Sequence, residues 1–178
     1  PFSHFILLEI RYLNWSAPGV WVLTSALVGF FSSAIRIHKL CYETKQIDAI
    51  LSTPITNSNI LFSLLIRSII IGIIQFIFSL IITFLLNNEY LSFLNILVIF
   101  FHIFITVTFF SVLGVLIGLI IEKMIFLVQF SIALFMFLCF GMNLFIPVSI
   151  FPNSYYVIIS KVPLVTIFIN MQNIITND

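Results

Sequence analysis

The chain has 178 residues, of which 62% are apolar and only 7% charged, with a formal net charge of +1. A soluble domain carries about 25% charge, so a chain this poor in charge lacks the polar surface to fold in water. Its mean hydropathy of +1.27 identifies an integral membrane protein, and without a basic patch it has nothing to hold a nucleic acid.

The chain opens on Pro1 rather than Met and stops just after an apolar stretch, and it reads as a fragment. No basic start followed by a small-residue cleavage site marks a signal peptide. Crossing about 30 Å of hydrocarbon takes about 20 helical residues. Four runs meet that length, at about 18–36, 58–87, 91–121 and 124–146. Pro18 and Gly19 stand at the start of the first and Arg36 closes it; His102 alone interrupts the third; Pro147 stops the fourth. Ile, Leu and Phe recur on every face without period two. In lipid the backbone must satisfy itself, so the runs are helices and open sheets are excluded. The expected fold is an all-α membrane bundle of four spanning helices.

Orientation follows the lysine and arginine bias. Arg36, Lys39 and Lys45 share one loop, Arg67 lies near the start of the second span, and Lys123 joins the third to the fourth. With four alternating spans all five fall on one side, against Arg11 and Lys161 on the other. The loop 36–57 and the Glu122–Lys123 turn are therefore expected in the cytoplasm. The Asn87–Tyr90 turn and both ends of the chain are then external. A prokaryotic cell membrane is the expected location.

The loop 36–57 holds the densest group of charges. Ile47, Ile50 and Leu51 stand at i, i+3 and i+4 and make one apolar stripe, while Glu43, Lys45 and Asp48 occupy the remaining surface. Pro54 breaks the helix, and Thr56, Asn57 or Ser58 is placed to cap the next one. The pattern predicts a short amphipathic helix, about 43–52, lying along the membrane surface. Such a helix either receives force from a soluble partner or is a plain interfacial helix without one.

This run resembles a segment of the permease subunits of type 2 ABC transporters, which reads roughly acidic–x–Gly–x–x–acidic–x–Leu–Leu–x–Thr–Pro–Ile. Glu43, Asp48, Ile50, Leu51, Thr53, Pro54 and Ile55 fill the matching places, and Lys45 stands where that family often has glycine. Two further stretches are similar to the same family. Tyr12–Gly19 looks like the lead into its second span. Gly141–Pro147, with Phe151–Pro152 and Val162–Leu164, resembles the part after its fifth. The resemblance implies that the four spans match the second to fifth of a six-span unit, with the first and sixth missing. It also implies that the short helix is a coupling helix docking on a separate ATPase subunit through Glu43, Lys45, Ile47, Asp48, Leu51 and Pro54. ATP and magnesium would be held by that partner, and two permease units, as a homo- or heterodimer, would enclose the pathway.

Beyond the fourth span the chain stays apolar but carries Pro147, Pro152 and Pro163, too many for one continuous spanning helix. Tyr155 and Tyr156 suit the headgroup level. A short helix from about Asn153 to Ser160 dipping into the outer leaflet fits these residues, as does an ordinary external loop. The resemblance implies a re-entrant segment, about 147–163, that closes the outer end of the pathway.

Polar residues inside the spans are few. His102 is either part of a pathway or a neutral histidine tied to a neighbouring helix. Gln75, Asn95, Gln129 and Asn143 either line a pathway or tie helices together. Gly114 and Gly118 form a small-xxx-small pair, expected to serve packing within the subunit more than a dimer seam.

Catalytic chemistry is not expected. No G-x-x-x-x-G-K-[ST] loop is present. The six carboxylates are scattered over both sides, and His4, His38 and His102 fall in different layers, so neither acid–base nor metal chemistry is indicated. Cys41 and Cys139 lie on opposite sides, which excludes a disulfide between them. The expected function is that of a membrane permease subunit of an ATP-driven exporter; the alternative is a non-transporting scaffold or sensor that recruits a soluble partner through its loop helix.

Overall fold

A computed structural model describes residues 12–44, 46, 52, 54, 56–87, 92–141 and 161–176. These form helices α1 (Tyr12–His38), α2 (Asn57–Asn87), α3 (Phe93–Ile120), α4 (Met124–Gly141) and α5 (Pro163–Thr176), with a π-helical turn, Lys39–Glu43, continuing α1. No strand occurs among the described residues. Four helices are long and apolar enough to cross a membrane: α1 with its π turn, α2, α3 and α4.

α1 is the centre of the bundle. Trp21, Val22, Ala26, Phe30 and Ala34 are all nearly inaccessible on it and meet α2, α3, α4 and α5. α2 and α4 turn mostly apolar side chains outwards, Ile70, Ile74, Phe78, Phe126 and Phe137 among them. That inversion is what a lipid-facing surface requires, since water would penalise it.

Without a hydrophobic drive between helices in lipid, close approach decides which helices pair. α3 brings two glycines to α1. A Cβ added at Gly114 would sit on the Ser33 hydroxyl and 2.5 Å from the Phe30 carbonyl oxygen. At Gly118 it would lie 2.5 Å from Ile37 Cγ2 and 2.6 Å from the Ala34 carbonyl oxygen. The Gly114–Gly118 pair thus serves packing within the chain. Gly72 lets α2 approach in the same way, within 3.1 Å of the Ser25 carbonyl oxygen for an added Cβ. Phe135 of α4 closes the core, with its ring centroid 5.5 Å from Phe30 and 5.7 Å from Phe110.

Three buried hydroxyls are satisfied within their own helices. Ser25 donates to the Trp21 carbonyl at 2.5 Å, Ser68 to Leu64 at 2.9 Å and Ser131 to Leu127 at 2.6 Å. Such bonds let small polar residues sit in an apolar bundle without an exposed donor. Towards the other end, Trp21 Nε1 donates to Thr83 Oγ1 at 2.9 Å and ties α1 to α2.

Three prolines mark boundaries in the sequence, at Pro18, Pro147 and Pro163. Pro18 lies inside α1, not at its start, because the helix already runs from Tyr12. Pro163 begins α5, where its missing N–H costs nothing, and the expected re-entrant segment 147–163 lies almost wholly outside the described residues. α4 is described to Gly141; the expected continuation to 146 and the segment around Pro147 and Pro152 lie outside the described residues.

Candidate functional site at the polar end of the bundle

α1 and α3 end, and α2 and α4 begin, at the same end of the bundle, and the loop 36–57 opens there. Ile37 and Leu40 on α1 and its π turn, Leu64 on α2 and Val115 on α3 form a small second core at this end, with Cys41, Ile60 and Leu65 against it. α2 is about 46 Å long at 31 residues, so its first turns extend past the level of Arg67. Thr56 caps it. Its carbonyl accepts from Asn59 N–H at 3.0 Å, and its hydroxyl lies 3.4 Å from the same N–H.

The π turn carries the polar contacts of this end. Its register is set by Lys39, whose carbonyl accepts from the Thr44 N–H at 2.9 Å and the Thr44 hydroxyl at 3.0 Å. Single π turns inside α-helices recur at functional positions. Two side chains leave this region towards the turn between α3 and α4. His38 Nε2 lies 3.0 Å from the Glu122 carbonyl oxygen, and the Tyr42 hydroxyl donates to the Leu119 carbonyl at 2.5 Å. A carbonyl only accepts, so Nε2 carries the ring proton in the neutral tautomer and Nδ1 is left bare. That Nδ1 has no hydrogen-bond partner among the described residues, and the Glu43 carboxylate lies 4.0 Å away. The His38 and Tyr42 rings lie 5.3 Å apart, so the two anchors support one another.

Beside α1 lies a groove of about 430 Å³, lined by Leu27, Val28, Phe31, Ser32, Ile35, Arg36, Lys39 and Arg67. Its polar end holds three cations, from α1, the π turn and α2. No carboxylate pairs with them among the described residues.

Of the residues expected to couple to an ATPase, Glu43 ends the π turn and is exposed, its carboxylate 4.0 Å from His38 Nδ1. Pro54 stands exposed in a turn. Lys45, Ile47, Asp48 and Leu51 lie outside the described residues. Among the described residues, Gln75, His102 and Gln129 make no hydrogen bond with one another. Gln75 is half-buried on α2 and Gln129 exposed on α4, and Asn143 lies outside the described residues. His102 bonds the Val98 carbonyl one turn back on its own helix at 2.8 Å, rather than a neighbouring helix. Among the described residues no three His, Cys, Asp or Glu side chains gather, and both cysteines are free thiols.

His38 and Tyr42 escaped the sequence reading because their partners are main-chain carbonyls far along the chain. The available signal was a histidine and a tyrosine four apart at the end of a span, a spacing that places both on one helix face. No protein-family model, curated protein or solved structure matches this chain.

Proposed function

We propose that the chain is a membrane-spanning permease subunit of an ATP-driven exporter of the type 2 ABC family, with residues 43–52 as its coupling helix. The resemblance at Glu43, Asp48, Ile50, Leu51, Thr53, Pro54 and Ile55 supports this reading, and so do four apolar helices in the expected order around it.

The observation that carries the proposal is how the polar segment is rooted. It begins at Glu43, the last residue of a π turn that His38 and Tyr42 tie to the end of α3 and the α3–α4 turn. A push on the segment would therefore reach α1 and α3 together. α1 is also the most enclosed helix, so its displacement would be felt by every helix packed on it. ATP and magnesium would be bound by the partner ATPase, and the pathway would lie between two permease units. The scarcity of polar side chains inside the spans suits apolar or amphiphilic cargo.

The test is transport in proteoliposomes holding the permease and its ATPase. Leu51→Asp is expected to leave the spans inserted while uncoupling ATP hydrolysis from transport. Undiminished coupled transport in that variant would remove the coupling role from this segment.

A further inference from the structure

We propose that the groove beside α1 is a binding site for an anionic glycerophospholipid from the leaflet at the polar end of the bundle. The inference is independent of the transport reading and of which side of the membrane that leaflet faces.

The groove has the two-part chemistry of such a lipid. Leu27, Val28, Phe31 and Ile35 follow i, i+1, i+4 and i+8 along one face of α1 and offer an apolar track. Arg36, Lys39 and Arg67 stand together at its polar end. From Leu27 to Lys39 the track runs twelve residues, about 18 Å along the helix axis, which is the scale of an acyl chain in one leaflet of a bilayer about 30 Å thick.

Among the described residues the cations are also left without an ion-pair partner. His38 and Tyr42 bond main-chain carbonyls at the end of α3 and in the α3–α4 turn, and the Glu43 carboxylate lies 4.0 Å from His38 Nδ1. Among the described residues no carboxylate lies within 4 Å of Arg36, Lys39 or Arg67, and all three are exposed. Arg36 and Lys39 are three residues apart on one helical face, and Arg67 comes from a second helix. A phosphodiester between them would meet two guanidinium forks and one ammonium. Basic pockets between spanning helices take anionic headgroups in this way, and each cation near the surface contributes to the attraction.

Simple snorkelling of three long side chains into bulk headgroups makes a different prediction, because it requires no lipid held in fixed stoichiometry. The full chain is purified in detergent, offered equal amounts of phosphatidylglycerol and phosphatidylcholine, and examined by native mass spectrometry. The expected result is one phosphatidylglycerol retained per chain, preferred over phosphatidylcholine by about tenfold. Arg36→Gln combined with Arg67→Gln should remove that preference. Val28→Trp, which fills the track without touching a charge, should lower retention of either lipid, and it serves where the charge variant fails to fold. Equal retention of the two lipids by the unaltered chain would overturn the site. So would an unchanged preference in a folded charge variant, or stabilisation by millimolar inorganic phosphate equal to that by the lipid.

Discussion

His38 Nε2 meets the Glu122 carbonyl oxygen at 3.0 Å across a separation of 84 residues, joining the end of α1 to the turn between α3 and α4. His38 is almost fully buried, so the bond is protected from water on the ring side. Replacing it with phenylalanine keeps the ring and its contact with Tyr42 but deletes the donor. His38→Phe is expected to lower stability by about 0.5–1.5 kcal/mol, the range for one hydrogen bond, read as a fall in the thermal midpoint in detergent. Tyr42→Phe should cost a similar amount. Because the two rings touch, the double variant should lose less or more than the sum, not the sum itself. Strict additivity would show that the anchors act separately.

The α1–α3 crossing allows a graded test. At Gly114 an added methyl meets the backbone of Phe30, which cannot yield without moving a helix. At Gly29 it meets side-chain atoms, Ser111 Oγ at 3.0 Å and Val107 Cγ1 at 3.1 Å. Gly114→Ala is therefore expected to destabilise by about 1–3 kcal/mol, the usual cost of overpacking, and Gly29→Ala by clearly less. Equal effects in a thermal-shift measurement would contradict the assigned crossing.

Ser111 carries a fully buried hydroxyl with no partner among the described residues, beside Gly29. Leaving such a group unsatisfied costs about 1–3 kcal/mol. Ser111→Ala keeps the close approach and removes that group, so it should be neutral or raise stability by about 1 kcal/mol. A marked fall in the thermal midpoint would mean that the hydroxyl has a partner.

Trp21 Nε1 and Thr83 Oγ1, 2.9 Å apart, make a cross-helix bond far from the polar end. Interhelical hydrogen bonds in membranes contribute about 0.6 kcal/mol on average and about 1.7 at most. Trp21→Phe and Thr83→Val, combined in a double-mutant cycle, should return a coupling energy in that range. A coupling near zero would place the stabilisation in the Trp21–Phe76 ring contact, whose centroids lie 6.1 Å apart.

What the sequence made legible was whatever depends on local composition. Length of apolar run is a direct signal for a long apolar helix, so the four helices long enough to cross a membrane were readable. Gly114 and Gly118 announced a close approach, but not that Phe30, Ser33, Ala34 and Ile37 would be its other side. Contacts to main-chain carbonyls leave no trace in residue identity, which is why the His38–Glu122 and Tyr42–Leu119 bonds were not readable. α5 was missed because Pro163 was read as the last of three helix breakers. The signal was present: proline suits a first helical position, and the buried Val165, Phe168 and Met171 then recur every third residue. Pro18 misled in the opposite sense. It was taken as the start of α1, whereas neighbouring helices let a spanning helix keep an interior proline.

The central claim is that the polar segment of this chain engages an ATPase. The most direct test is purification of the full-length gene product from detergent, with co-purifying proteins identified by mass spectrometry and the procedure repeated for Leu51→Asp and Asp48→Lys. The account predicts a soluble ATPase in stable proportion to the unaltered chain and its loss from both variants. Intact, folded protein that retains no ATPase, with or without nucleotide, would contradict it and favour a membrane scaffold.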